Sequence, residues 1–487
     1  MRSLTLTLLT SLFITLTNPS FATGTSTSTT CDPTCQAHAA AGSSYEASAH
    51  ADPSYSFYTV PKNFSTSLPA GSLLGLELAT NMLNYSIPAG LSMSRILYTT
   101  TDLNGTVLPT SAYILWPYSP LSKSGGSYPL VAWAHGTSGL FKACAPSNYR
   151  NLQYHFMAPF LLAMQGMVVV APDYAGLGVS SLLSGQTIPH PWLAGPAQAN
   201  DIANAITAAR TAFPKVLRDN GPFVVMGHSQ GGSAAWAFAE RQSNSSLAIK
   251  GYKGTVAIAP PVRALEQYEQ ALADPSLPFS AINVGTAPKL IAAVTAAYPS
   301  YNYSGMTGIS YDRWNNVLRK VGGCFPTDIL VFLDVQIKDL AKQNWQKDKI
   351  VQLYAERTKV GGRKFKGPLL VVAADADGIT SYDTVKTAFK ETCAVVKTIG
   401  DKGCRGESLE VVTYKGVSHF PLLQASQARW LDWIKARLVG GTEGVAAAGC
   451  TNKTVEGVRQ EFTLQSTLPN FLETWADPVT EGWKYVL

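Results

Sequence analysis

The chain has 487 residues, of which 46% are apolar and 14% are charged, so a large hydrophobic core is expected and disorder over most of the chain is not. Its 38 basic and 32 acidic side chains leave a formal net charge of +6 at pH 7. Because no run of five or six like charges concentrates that excess, a nucleic-acid partner is not expected.

The N-terminal segment, residues 1–22, is typical of a secretory signal peptide. Arg2 supplies a positive charge, residues 4–16 form an apolar stretch, and Ser20-Phe21-Ala22 is a small-x-small cleavage site. A membrane anchor is the alternative, but a spanning helix needs about 20 apolar residues. We therefore expect no integral membrane segment and a secreted, extracellular mature protein.

Glycosylation motifs and cysteines agree with export. The sequence contains six Asn-x-Ser/Thr sequons, which are candidate N-glycosylation sites in a secreted protein, at Asn63, Asn84, Asn104, Asn244, Asn302 and Asn452. The chain has seven cysteines, which outside the cell are expected to form mostly disulfides with one cysteine left over. The C-x-x-x-C spacing of Cys31 and Cys35 indicates a local disulfide, because no second Cys/His cluster accompanies it as a metal site would require.

Residues 23–55 are rich in Ser, Thr, Ala and Gly and are predicted to form a flexible leader. From about residue 56, short apolar runs alternate with helical patterns, which predicts a parallel sheet covered by helices and therefore an α/β fold. The predicted strands cover residues 130–134, 167–171, 223–226, 254–258, 368–373 and 409–414. Open α/β sheets bind their ligands at the carboxyl ends of such strands.

About a hundred residues with helical periodicity separate the fourth and fifth of these strands, for example 264–273, 288–297 and 328–346. Because a simple crossover is much shorter, residues 262–365 are predicted to form a helical cap or lid; extra core helices are the alternative. Residues 56–261 and 366–439 would then form the core. A helix over 425–438 would end it, and residues 440–487 would form an irregular C-terminal flap.

A G-x-S-x-G motif, Gly227-His228-Ser229-Gln230-Gly231, lies between a predicted strand and a predicted helix over 233–240. In such an elbow the turn is so tight that glycine is needed two positions before and after the serine. The helix N-terminus also favours the negative charge that develops at the reacting centre. This context predicts that Ser229 is the nucleophile of an α/β-hydrolase fold with a mainly parallel central sheet.

A serine nucleophile needs a base and a carboxylate that orients the base. In this fold both follow the serine along the chain, and His419 is the one histidine after Ser229. Asp377 is the better acid, because it lies beyond the end of the strand over 368–373. Asp375 is the alternative, and its other role would be to accept hydrogen bonds from turn amides.

Ester or amide hydrolysis also needs N–H donors for the oxyanion. One is expected from the backbone of Gln230, directly after the nucleophile. The other is expected from Thr137, in the loop His135-Gly136-Thr137-Ser138-Gly139 that follows a predicted strand. His135 is interpreted as a structural turn residue, because it precedes the serine in the chain.

Four motifs taken together resemble the secretory lipase family, which includes yeast lipase A, over roughly residues 56–450. They are the 135–139 loop, Cys144-Ala145-Pro146-Ser147, Ala171-Pro172-Asp173-Tyr174-Ala175-Gly176-Leu177-Gly178 and the Ser229 elbow. The resemblance implies a lipase or carboxylesterase without a metal or other cofactor, acting on an ester in solution or at a lipid interface. It also implies that Cys144 pairs with Cys324, and Cys450 with Cys404 or Cys393.

Two other functions fit the same residues. A serine peptidase of this fold would use the same triad on an amide and recognise a substrate amine with acidic cap residues, for which Glu266, Glu269 and Asp274 are candidates. An inactive binding module would need a vacant triad position, and every position is filled. The sequence therefore favours a secreted serine hydrolase that cleaves carboxylic esters through a Ser-His-Asp triad and an acyl-enzyme intermediate.

Overall fold

A sheet of ten strands lies at the centre of the computed structural model, which describes residues 28–122, 126–400, 407–440 and 448–458. The strands are β1 (Leu73–Glu77), β2 (Leu91–Thr101), β3 (Val107–Pro117), β4 (Leu130–Ala134), β5 (Val168–Pro172), β6 (Phe223–His228), β7 (Tyr252–Ile258), β8 (Leu369–Ala374), β9 (Ser408–Tyr414) and β10 (Gly449–Val455). Their order is β1-β2-β3-β5-β4-β6-β7-β8-β9-β10. Pairing is antiparallel from β1 to β5 and parallel from β5 to β10. The predicted α/β fold with a mainly parallel sheet is confirmed.

Helices connect the strands and cover the sheet. They are α1 (Pro33–Ala49), α2 (Pro159–Met164), α3 (Gly195–Ala212), α4 (Gln230–Gln242), α5 (Ala264–Ala273), α6 (Ser280–Gly285), α7 (Ala287–Ala297), α8 (Gly308–Arg313), α9 (Arg319–Val321), α10 (Phe325–Phe332), α11 (Lys349–Thr358), α12 (Tyr382–Gly400), α13 (Pro421–Ala425) and α14 (Gln427–Val439). A π-helical turn, Trp314–Leu318, joins α8 to α9. Helices α5 to α11 all lie between β7 and β8, and we call them the inserted helices.

The sheet is buried on both faces. Every residue of β4, β5, β6, β8 and β9 is buried, which explains why these strands are rich in apolar residues, although β9 also buries Glu410. Within β4, Ala132 packs into the core on one face and Trp133 into the core on the other. Because these strands are parallel, the loops that follow β4, β6, β8 and β9 emerge at one edge of the sheet.

The prediction of a flexible leader over residues 23–55 is wrong for α1. Asp32 caps this helix by accepting a hydrogen bond from the Cys35 N–H at 2.8 Å, and Pro33 occupies its first turn. The many alanines of α1 favour a helix. The face of α1 around Gly42 carries small side chains and lies against Thr327, so the helix packs closely without large apolar residues. The predicted signal peptide, residues 1–22, lies outside the described residues.

The carboxylate of Glu46 fixes α1 to the N-terminus of α10. Glu46 is 3% exposed and accepts hydrogen bonds from the Cys324 N–H at 2.8 Å, the Thr327 N–H at 3.0 Å and the Thr327 hydroxyl at 2.6 Å. Two orphan backbone donors of a helix end are thereby satisfied. Residue 324 also forms a disulfide with Cys144 in the core.

The helical periodicity over residues 328–346 does not give one continuous helix. Helix α10 ends at Phe332, where Arg313 binds the Val331 carbonyl at 2.8 Å and forms an ion pair with Asp334 at 2.5 Å. A guanidinium that binds the last carbonyls of a helix favours a chain turn at that point. The chain then continues as short turns to α11.

The C-terminal part of the chain adds a strand to the sheet. The predicted irregular flap over 440–487 is wrong for β10, which pairs in parallel with β9 and is joined to α12 by the Cys393–Cys450 disulfide. Amide hydrogen bonds along β9 outweigh the polar composition of this segment. Residues 441–447 and 459–487 lie outside the described residues, as does Cys404. In the described part of the chain, no helix is long and apolar enough to span a membrane.

We expect Glu46 to make the stability of the protein depend on pH. Burial raises its pKa from the usual 4.5 to about 7. The folded chain therefore keeps a proton that the unfolded chain releases, and the free energy of unfolding falls as the pH rises between these values, by at most about 3 kcal/mol. Urea unfolding at pH 4.5 and pH 7 should show this fall in the wild type and a smaller one in Glu46→Gln. An unchanged fall in Glu46→Gln would contradict the assignment; Glu356→Gln, at an exposed ion pair, is the control.

Candidate active site

The turn between β6 and α4 holds Ser229 in a conformation that few non-glycine residues adopt, with φ 56° and ψ −125°. A Cβ on Gly227 would lie 2.1 Å from the Gly231 carbonyl oxygen, and one on Gly231 would lie 1.9 Å from the Ala134 carbonyl oxygen. Glycine is therefore required at both positions. The Ser229 N–H donates to the Ile258 carbonyl at 2.9 Å, which fixes the turn to β7.

A histidine and a carboxylate meet at the same edge of the sheet. The Nδ1 of His419 lies 2.8 Å from Oδ2 and 3.1 Å from Oδ1 of Asp377, and both side chains are buried. Asp377 also accepts hydrogen bonds from the N–H groups of Ile379 and Thr380, each at 2.8 Å. Because an ionised carboxylate only accepts, Nδ1 carries the proton and Nε2 of His419 has a free lone pair.

The second ring nitrogen of His419, Nε2, faces the cavity that Ser229 lines. The Nε2 of His419 is buried and has no hydrogen-bond partner, while the His419 and Ser229 side chains line one cavity. The structure thus brings together Ser229, His419 and Asp377. Asp375 is exposed, and its carboxylate instead accepts a hydrogen bond from the Gly416 N–H at 2.7 Å.

The loop after β4 and the start of α4 form another wall of this site. Thr137 lines the cavity, and its hydroxyl accepts a hydrogen bond from the Trp192 indole at 2.9 Å. Gln230 begins α4 directly after Ser229, and its side-chain amide donates to Nε2 of His190 at 3.0 Å. These contacts fix the backbone at the two positions for which oxyanion donors are predicted.

Two further histidines support the site without reaching the cavity. His135 stacks on Tyr174 with ring centroids 4.2 Å apart, and its Nδ1 lies 2.6 Å from the Gly136 carbonyl. His190 donates from Nδ1 to the Ala175 carbonyl at 2.9 Å. Burial lowers the pKa of each imidazole to about 4, so both are neutral at physiological pH.

Two motifs behind the resemblance contact each other in the core. The buried carboxylate of Asp173 accepts hydrogen bonds from the Ser147 N–H at 2.8 Å, the Ser147 hydroxyl at 2.6 Å and the Ser111 hydroxyl at 2.6 Å. Burial raises the pKa of Asp173, and these donors partly oppose the shift. Asp173 therefore joins β3, β5 and the chain after Cys144.

Sequence reasoning did not single out Tyr154, Trp192 or His190 as site residues. Tyr154 and Trp192 line the cavity, and His190 holds the side chain of Gln230. None of the three lies in a catalytic motif. The one available signal is that His190 and Trp192 follow closely after the Ala171–Gly178 motif.

The cavity at Ser229 lies between the sheet edge and the inserted helices. It opens to solvent, and its lining is mostly apolar. The inserted helices contribute Tyr268, Ile282, Leu290 and Phe325, while Gln267 and Asn283 add amide groups. A cavity of this kind accommodates an apolar group next to the serine.

The structure forms three disulfides in its described part: Cys31–Cys35, Cys144–Cys324 and Cys393–Cys450. The second joins the chain after the 135–139 loop to the start of α10. The Phe325 N–H also donates to the Ser138 carbonyl at 2.9 Å, so the loop after β4 is held to α10 twice.

All six sequon asparagines are exposed, at positions 63, 84, 104, 244, 302 and 452.

A family model described as "Alpha/beta hydrolase family" matches residues 131–431. The chain belongs to this family. The match extends from β4 to α14 and so includes the Ser229 turn, Asp377 and His419. Comparison with curated protein sequences finds no match.

Solved structures show the same fold at low sequence identity. Candida antarctica lipase A in its closed state is 18% identical with a TM-score of 0.65, and the alignment covers 87% of this chain and 93% of that one. The ligand-bound rice cell wall degrading esterase LipA from Xanthomonas oryzae is 18% identical with a TM-score of 0.53, covering 76% of this chain and 97% of that one. A putative hydrolase from Legionella pneumophila is 15% identical with a TM-score of 0.57, covering 77% and 100%. The resemblance to a lipase A-like α/β-hydrolase is confirmed at the level of the fold.

We expect Gly231→Ala to destabilise the protein by at least about 2 kcal/mol, because its Cβ would collide with the main chain of β4. Urea unfolding followed by fluorescence measures the change. The matched control is Gly308→Ala in α8, where a Cβ meets nothing within 4 Å. Equal stability of the two variants would contradict the close contact between the turn and β4.

Proposed function

We propose that the protein is a serine hydrolase that cleaves carboxylic esters, with Ser229 as nucleophile, His419 as base and Asp377 as the acid that orients it. The observation that carries the proposal is the His419–Asp377 pair, whose free Nε2 shares a cavity with the strained Ser229. A serine, a base oriented by a third group and a common cavity are the geometric signature of nucleophilic catalysis.

In the proposed reaction, Nε2 of His419 takes the hydroxyl proton of Ser229 while Oγ attacks the carbonyl carbon of the ester. The tetrahedral intermediate collapses, the alcohol leaves with the proton from His419, and the acyl group stays on Ser229. Water then attacks the acyl-enzyme while His419 takes its proton; the bond to Oγ breaks, His419 returns the proton to Oγ of Ser229, and the acid is released. Asp377 stays ionised throughout and stabilises the charged imidazole.

The oxyanion would be stabilised by the backbone N–H groups of Gln230 and Thr137. The first lies at the N-terminus of α4, where the partial positive charge of the helix favours an anion. The hydrogen bonds from Gln230 to His190 and from Trp192 to Thr137 support this role, because donors that are held in place before the reaction stabilise the transition state most.

The mostly apolar cavity supports an ester with an apolar acyl group. Two solved structures of the same fold are named as a lipase and an esterase, which agrees with this substrate class.

We also propose that the inserted helices act as a cap, within residues 262–365, and that the protein is secreted and glycosylated. Three disulfides and exposed sequons support the last proposal.

A serine peptidase of the same fold would need an acidic group close to the serine to bind a substrate amine. Of the candidates, Glu266 and Glu269 line a neighbouring cavity, and Asp274 is exposed beyond α5. Arg263 contacts Glu266 at 3.3 Å and neutralises its charge in part. The described lining of the Ser229 cavity offers no carboxylate for this purpose, so the geometry favours an ester over an aminoacyl amide.

We expect the protein to hydrolyse p-nitrophenyl esters and Ser229→Ala to lose this activity. The assay uses a series of esters from acetate to palmitate together with an aminoacyl p-nitroanilide. Ser233→Ala is the matched control, since Ser233 is a buried serine one turn further along α4. Turnover of the anilide without turnover of any ester would contradict the ester assignment. Activity that survives in Ser229→Ala would exclude it as the nucleophile.

We expect Asp377→Asn to lower kcat by about 10⁴-fold, because an amide can present its N–H₂ group to Nδ1 and stabilise the wrong tautomer of His419. Asp375→Asn should lower kcat less than tenfold, since its carboxylate contacts only a turn N–H near the base. Steady-state kinetics of both variants on one ester compare the two losses. A larger loss in Asp375→Asn would refute the assignment of Asp377.

A further inference from the structure

A buried histidine outside the triad connects two of the loops that meet at Ser229. His228 lies between Gly227 and the nucleophile, and its ring is fully buried. Its Nε2 is 3.0 Å from the backbone carbonyl of His419, and its Nδ1 is 3.0 Å from the hydroxyl of Tyr154. The rings of His228 and His419 are adjacent, with centroids 4.7 Å apart.

The chemistry of these partners fixes the direction of each hydrogen bond. The His419 carbonyl can only accept, so Nε2 of His228 carries a proton. Burial and the neighbouring His419 ring hold the pKa of His228 well below its usual value, so this imidazole is neutral. Its Nδ1 is then an acceptor, and the Tyr154 hydroxyl must donate to it.

The same hydroxyl lies against the loop that follows β4. Burial raises the pKa of Tyr154, and the Gly136 backbone beside its hydroxyl partly opposes this rise. A Cβ on Gly136 would lie only 2.0 Å from this hydroxyl and 3.2 Å from the Cβ of Ser229. Two hydrogen bonds therefore link Tyr154 through His228 to the His419 backbone, and the Tyr154 hydroxyl also contacts Gly136.

The segment that carries Tyr154 is itself strained. Leu152, Gln153 and His155 have positive φ values of 51°, 65° and 33°. Such conformations persist only when their surroundings hold them, and they gather at functional sites. The segment also contributes Gln153 and Met157 to the lining of the Ser229 cavity.

We propose that Tyr154 and His228 are positioning residues, which hold the 135–139 loop, the Ser229 turn and the His419 loop in register. The proposal rests on the proposed ester hydrolysis. Neither residue supplies an atom to the reaction. Their hydrogen bonds hold the backbone of His419, and the Tyr154 hydroxyl packs against Gly136, whereas the contact with Asp377 fixes only the ring of His419.

Loss of these hydrogen bonds should lower the rate of chemistry more than substrate binding. A displacement of about 1 Å in a catalytic group can cost roughly 100-fold in rate. We expect Tyr154→Phe to lower kcat about 10- to 100-fold with KM changed less than about twofold. His228→Phe should do the same, because it removes both hydrogen bonds.

The test measures kcat and KM of each variant on one p-nitrophenyl ester, per serine titrated with a fluorophosphonate. Titration counts only folded sites with a reactive Ser229, so partial misfolding does not lower the result. Tyr113→Phe is the matched control, because it removes an equally buried hydroxyl that has no hydrogen-bond partner. It should leave kcat unchanged.

Two further variants separate positioning from packing. His228→Gln keeps one donor and one acceptor, so its kcat should exceed that of His228→Phe by about tenfold or more. The double variant Tyr154→Phe/His228→Phe should be no slower than the slower single variant, because residues that act as a unit are not additive. Additive losses without rescue by glutamine would contradict the proposal.

The failures of the two proposals are distinguishable. A wild-type protein that hydrolyses no ester contradicts the proposed function and this inference with it. A wild-type protein that hydrolyses esters, with kcat of Tyr154→Phe within about twofold of it, contradicts only the positioning role. If His228→Phe does not fold, Tyr154→Phe still tests the positioning role, since it removes only one oxygen atom.

Discussion

Contact between main chains fixes the geometry around Ser229. The Ala134 carbonyl at the end of β4 lies so close to Gly231 that no side chain fits between the strand and α4. Adjacent strands in a sheet are about 4.8 Å apart, so the loops after β4 and β6 begin within one strand spacing of each other. The 135–139 loop therefore starts beside the nucleophile turn. The positions of Thr137 and Gln230 depend on this contact.

Four buried histidines surround this contact, and their partners give them different properties. His135, His190 and His228 each contact a backbone carbonyl, and burial lowers the pKa of each. His419 instead contacts the carboxylate of Asp377. A carboxylate stabilises a protonated imidazole far more than a carbonyl dipole does. His135, His190 and His228 therefore have structural roles, whereas His419 fits the role of base.

Much of the fold could be predicted from sequence because buried parallel strands are continuous apolar runs with glycine, aspartate or histidine after them. The antiparallel strands β1 to β3 and the helix α1 were not predicted. Helix α1 has few large apolar residues, and the buried Glu46 that fixes it gives no local signal. The preference for Asp377 over Asp375 stays a prediction, although Asp377 is the one that contacts His419.

The contacts of His228 could not be predicted, because Tyr154 is 74 residues away in the sequence and lies on a strained segment. Such a pair depends on how loops fold back over the sheet, which neither periodicity nor a motif encodes.

Strand β10 has a consequence for the behaviour of the whole molecule in solution. Without it, the buried and largely apolar β9 would form the edge of the sheet, and an open edge can pair with a strand of another molecule. With it, the edge carries the exposed side chains of Asn452 and Lys453, the latter 3.1 Å from the buried Glu410. A charged side chain such as Lys453 on an edge strand opposes pairing between molecules, so in the described part of the chain this short strand disfavours aggregation through the sheet.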